Sequence, residues 1–148
     1  MEKFNRNLKQ GLNYEKEAIK YFKYDKAEFS EGYFTDYDIK LIRDEDIKFL
    51  EVKSERYASI SGNLCIEYNY KNEPSGIYKT KAHYWVHFVL HTDNGLYGNV
   101  ISHDCYIFPI KKLKKILKGC RTVKSGDNKY CKSYLLPLTK CKNYLYTL

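Results

Sequence analysis

Residues 47–53, Ile-Lys-Phe-Leu-Glu-Val-Lys, limit the fold more than any other stretch. Phe49, Leu50 and Val52 put apolar side chains on both faces of an extended segment, because successive strand residues point opposite ways. A strand that is apolar on both faces needs cover on both, which places it inside a sheet with a layer above and a layer below. Yet the run ends in charge: Glu51 and Lys53, two residues apart, point the same way from its end.

The flanking sequence supplies the layers. Residues 5–24 carry a helical stripe of Leu8, Leu12, Glu15, Ile19 and Phe22, with Glu15 at its centre. In 34–42, Tyr37, Ile39 and Leu41 alternate with Asp36, Asp38 and Lys40, which predicts a strand. Arg-Asp-Glu-Asp at 43–46 is a polar turn leading into 47–53. Residues 64–70 form another strand, with Leu64, Ile66 and Tyr68 on one side, and 75–82 a short helix. Residues 83–91 are a strong strand, closed by a turn at 92–95, and 97–102 and 105–108 read as two further strands. A basic amphipathic helix over 109–119 runs from Pro109 to Gly119, and a hairpin around 125–128 follows. The expectation is one α/β (α+β) domain over 1–148. It has an N-terminal helix, a mixed central β-sheet flanked by helices, a core of about 8–91, and a C-terminal helix and hairpin as additions over about 92–148.

Composition narrows the function. Twenty-six Lys and Arg against eighteen Asp and Glu give +8, which suits a polyanionic partner. Sixteen tyrosines, many beside lysine, suit base or sugar stacking, and suit the codon bias of an AT-rich genome equally well. No apolar run approaches a membrane span and the first ten residues hold no secretory h-region, so a cytoplasmic protein is expected. Five cysteines with no C-x-x-C pair suggest reduced thiols rather than zinc. The absence of Walker A, G-x-G-x-x-G and G-x-S-x-G motifs argues against nucleotide cofactors and serine hydrolysis. Trp85, His87 and Val89 share a strand face with His83, in a pattern that suits packing or a surface against DNA better than a ligand set.

Asp38 and Glu51 stand at hairpin spacing across the 43–46 turn, so their carboxylates can meet at one point. Two carboxylates that close repel unless a cation joins them. Oxygen ligands with room for water suit Mg²⁺ or Mn²⁺. Lys53 shares the Glu51 face, and Glu15 could close the site from the helix. Asp36 is a rival to Asp38.

These residues resemble the PD-(D/E)xK nuclease superfamily: Tyr-Asp-Ile at 37–39, Glu-Val-Lys at 51–53, and a preceding helix with Gly-Leu-Asn-Tyr-Glu at 11–15. The motif's proline is replaced by Tyr37. The stretches 61–68 and 74–85 also resemble small phage-type endonucleases and junction resolvases of that class. The resemblance implies a restriction-endonuclease-like core and hydrolysis of DNA to a 5′-phosphate and a 3′-hydroxyl. It implies Mg²⁺ held by Asp38, Glu51 and the Val52 carbonyl, with Glu15 holding a metal water or second ion, and Lys53 orienting or helping to deprotonate the attacking water. Ser61, Asn63, Glu67, Thr80 and Lys81 would assist at the nucleic acid. A homodimer would allow two cuts on two strands, with 96–108 as its interface. The competing reading is a non-catalytic basic nucleic-acid-binding protein on the same scaffold. It gives no reason to gather three acids near a phosphate.

Overall fold

A computed structural model describes residues 13–32 and 36–148, with Asp127 described by its backbone alone. Helix α1 covers residues 13–19 of the described chain. Leu8 and Leu12 of the expected stripe lie outside the described residues. The helix stops at 19 rather than 24, because i→i+3 bonds close its last turn, from the Lys20, Tyr21 and Phe22 amides to the Glu17, Ala18 and Ile19 carbonyls. The chain then enters β1 (Lys26–Phe29), a strand that the periodicity did not indicate.

A meander follows through β2 (Ile39–Arg43) and β3 (Asp46–Glu55), antiparallel and joined by a two-residue turn at Asp44-Glu45, with Arg43 opposite Asp46. Asp44 takes a positive φ of 54° there, which an Asp tolerates better than most residues. The chain next makes a one-turn helix, α2 (Ala58–Ser61), then strands β4 (Asn63–Tyr70) and β5 (Glu73–Pro74). The helix expected at 75–82 is only a 3-10 turn, Gly76–Tyr78, so Thr80 and Lys81 stand in the loop beyond it.

Strand β6 (Tyr84–Thr92) lies parallel to β3, and β7 (Val100–Pro109) returns antiparallel to it. The two strands expected within 97–108 are thus one, paired along its length with β6 and irregular only near Thr92. Helix α3 (Ile110–Leu117) leads to β8 (Arg121–Ser125), β9 (Cys131–Pro137) and the short β10 (Leu145–Tyr146).

The fold is α+β with a mixed sheet. A six-stranded sheet runs β1-β2-β3-β6-β7-β10, and a four-stranded antiparallel sheet runs β5-β4-β9-β8. The β3-to-β6 connection passes through β4 of the second sheet. Both faces of the large sheet are covered, as 47–53 required. On one, Tyr14 and Ala18 of α1 pack on Ile39, Leu50, Val86 and Phe88. On the other, Trp85 and Phe108 meet Leu64, Ile66 and Leu136 of the small sheet and Leu113 and Leu117 of α3. The five cysteines are free, and among the described residues no helix is long and apolar enough to cross a membrane.

Candidate functional site

The site forms where β2 stops and β3 continues. Ile39 pairs with Leu50, so the next residue back, Asp38, stands opposite Glu51 just beyond the last pair of the ladder. The Asp38 amide still donates to the Leu50 carbonyl at 2.9 Å. Its carboxylate then takes the place of the missing strand: the Val52 amide donates to Asp38 Oδ2 at 2.7 Å. The Val52 carbonyl faces the same side, since a strand residue aims its N–H and C=O at the same neighbour.

Glu51 is 8% exposed, a depth at which a carboxylate needs partners. Its Oε1 lies 3.1 Å from Lys53 Nζ and its Oε2 3.1 Å from Thr80 Oγ1. Burial pushes the Asp38 carboxyl up, against the Val52 amide and Lys53. Burial also raises Glu51; Lys53 opposes that and Asp38 adds to it. Burial works against the charge on Lys53, but Glu51, Asp38 and Glu67 outweigh it and hold the ammonium above its usual range. Lys53 is therefore protonated at neutral pH, with Nζ 5.9 Å from the centroid of the Trp85 ring.

Glu15 lies beside the buried stripe of α1 rather than at its centre, since Tyr14 and Ala18 are the residues that sink into the core. Its carboxyl is pushed to about 7 by burial first, then by Asp38 and Glu51, with Lys53 offsetting them. Helix α1, the start of β2 and strand β3 thus bring Glu15, Asp38, Glu51 and Lys53 into one electrostatic neighbourhood. Asp36 does not join it. Its carbonyl accepts the Lys81 amide at 2.7 Å and its carboxylate sits 3.7 Å from Lys81 Nζ. Lys81 is thus engaged with Asp36.

Asp38, Glu51 and Lys53 open on a cleft of about 1250 Å³. It is also lined by the small sheet, through Asn63 and Glu67 of β4, Arg121 of β8 and Ser133 of β9, and by Ser61. Ser61 Oγ accepts the Asn63 amide at 3.2 Å, and Glu67 Oε1 accepts from Cys131 Sγ at 3.0 Å.

One group escaped the sequence reading. Trp85 Nε1 donates to His87 Nδ1 at 3.0 Å, and His87 Nε2 lies 2.5 Å from Glu55 Oε2. An indole N–H can only donate, so Nδ1 accepts and the imidazole proton sits on Nε2, facing Glu55. The usable signal was Glu51-x-Lys53-x-Glu55, three charges on one face of a strand. The parallel register that sets Lys53 opposite His87 was not visible.

Among the described residues no three His, Cys, Asp or Glu side chains gather at ligating distance. The donors present do fit a hard divalent cation that keeps several waters: two carboxylates, a backbone carbonyl and a threonine hydroxyl, all oxygen. Both carboxyls are raised above their usual range, by burial before any other cause and in spite of Lys53. The chain matches no protein family, no curated protein and no solved structure.

Proposed function

We propose that this chain is a divalent-metal-dependent DNA endonuclease with a restriction-endonuclease-like core. One observation carries the reading: buried Glu51 and half-buried Asp38, facing across a broken ladder, with the Lys53 ammonium 3.1 Å from Glu51, at the wall of a large cleft. A non-catalytic binder gains nothing from burying two acids where a phosphate must approach.

Asp38, Glu51 and the Val52 carbonyl would hold Mg²⁺ or Mn²⁺, which when bound supplies a Lewis acid for the phosphoryl oxygens and the attacking water. Thr80 holds Glu51 in place through Oε2. Lys53, held protonated, orients the water and donates to a non-bridging phosphate oxygen, offsetting the charge that grows as water oxygen bonds to phosphorus. Glu15 accepts a hydrogen bond from water on the helix side. The attacking water releases a proton to solvent as its oxygen bonds to phosphorus, the P–O3′ bond breaks, the leaving oxygen takes a proton from solvent, and the products are a 5′-phosphate and a 3′-hydroxyl.

The test is a cleavage panel of linear duplex, single strand, nicked duplex, four-way junction and RNA, with and without Mg²⁺, and Glu51→Ala as control. Cleavage should require the cation, and Lys53→Ala should lose about 10²–10³-fold in rate while still binding DNA. Cutting that survives a chelator, or a fully active Lys53→Ala, would sink the mechanism.

A further inference from the structure

The positive charge of this chain is concentrated in one region. Between residues 111 and 142 stand eleven Lys and Arg against one acid, Asp127, while the rest of the chain carries fifteen against seventeen. Ion pairing follows the same division. Lys20, Lys26, Lys40, Lys48, Lys53 and Lys81 all have carboxylate partners. Among the described residues no carboxylate pairs with Lys111, Lys112, Lys114, Lys115, Lys118 or Arg121, all of them exposed.

Helix α3 is poorly arranged for its own stability. Lys111 and Lys112 sit in its first turn, where the helix dipole disfavours cations, and no acid shares that turn. The pairs 111/115 and 114/118 place like charges one turn apart, each unfavourable by about 0.2–0.5 kcal/mol. Ile110, Leu113 and Leu117 hold the helix down by burial. A polyanion lying along the exposed face would remove the repulsion. The chain also leads from the helix directly to the cleft. Arg121 lies four residues beyond Leu117, a reach of at most about 14 Å, and lines the same cleft as Asp38 and Glu51.

We propose that the exposed face of α3, continued by Arg121 of β8, binds the phosphate backbone of the nucleic acid beyond the bond that is cut. This rests on reading the cleft as a nuclease site. The helix has no apolar face left to insert into a bilayer, since Ile110, Leu113 and Leu117 are spent on the core. The short chain distance from the helix to Arg121 in the cleft favours a long polyanion over a compact acidic protein.

The experiment measures binding in EDTA, so that no cleavage intervenes, by anisotropy of labelled duplex and single strand about 30 nucleotides long at about 50 to 300 mM salt. Lys111, Lys112, Lys114 and Lys115→Gln together are compared with a charge-matched control, Lys20, Lys26, Lys40 and Lys48→Gln. The α3 variant should bind at least about tenfold more weakly, with a salt slope smaller by about 2–4, because fewer counterions are released. The control should stay close to wild type. Equal loss in both variants would mean net charge alone matters, and no loss in the α3 variant would mean the face is unused; either overturns the proposal. So would binding of the wild type to phosphatidylserine vesicles or polyglutamate but not to DNA. If the wild type binds as expected yet never cuts, the nuclease reading fails and the binding face stands.

Discussion

Glu15 is a residue whose chemistry is set by its surroundings. Its carboxyl, ordinarily near 4.5, is pushed to about 7 by burial and by Asp38 and Glu51. A raised carboxyl pKa means the folded state prefers the protonated form. That stabilising contribution is complete below about 4.5 and is lost as pH rises through about 7. In chelator, wild type and Glu15→Gln should therefore melt alike near the acid end of that window, and the glutamine variant should gain as pH rises. Discounted for Glu15's partial exposure, the gap is on the order of 1 kcal/mol, or about 2–4 °C in Tm. Melting curves that stay parallel across the window would place Glu15 outside the field of Asp38 and Glu51. The residue was legible as an acid on an apolar stripe. Its seat beside Tyr14 and Ala18 was not, because the stripe read from Leu8 and Leu12 differs by one position from the stripe that packs.

Elements were legible where their partners lie close in sequence. The β2–β3 hairpin followed from alternation on both sides of a polar turn, and with it the meeting of Asp38 and Glu51. Strand β4 was equally legible from Leu64, Ile66 and Tyr68, but its partner β9 pairs Leu64 with Leu136, more than seventy residues on. No local pattern encodes so distant a pairing, so the second sheet and the cleft it walls were missed. The turn at Gly76 joins these two levels. It has a φ of 51°, and a Cβ there would lie 2.1 Å from the Glu67 carbonyl oxygen of β4. Gly62 also has a positive φ, of 76°, but a Cβ there meets open space. Gly62→Ala should lose only the left-handed strain, about 1–2 kcal/mol. Gly76→Ala should lose about 3–5 kcal/mol, because backbone must also move. Since Thr80 follows that turn and bonds Glu51, the second variant should also lose cleavage, whereas the first should keep it. Equal melting temperatures for the two would show that the turn is free to shift off β4.

For the whole molecule, the sequence suggested a nuclease-like core over 8–91 with later residues as additions, and the packing joins them. The cluster between the two sheets draws Leu64, Ile66, Ile77 and Trp85 from the first part and Phe108, Leu113, Leu117 and Leu136 from the second. Strand β7 covers the edge of β6, and β9 stands between β4 and β8. Burying a large aliphatic or aromatic side chain contributes about 1.5–3 kcal/mol. Losing those four residues therefore removes about 6–12 kcal/mol, comparable to the entire stability of a domain this size. A chain ending at His91 should accordingly show no cooperative melting. Leu113→Ala, which empties a single fully buried position, should leave a folded protein weakened by about 2–5 kcal/mol. The α3 lysines can then be replaced without loss of the fold while Leu113 cannot, although they share one helix: the charged face is the one proposed to bind a partner, and the apolar face serves the fold. A truncated chain that melted cooperatively and still cut DNA would reverse that division, because the second sheet would then be dispensable and the cleft complete without it.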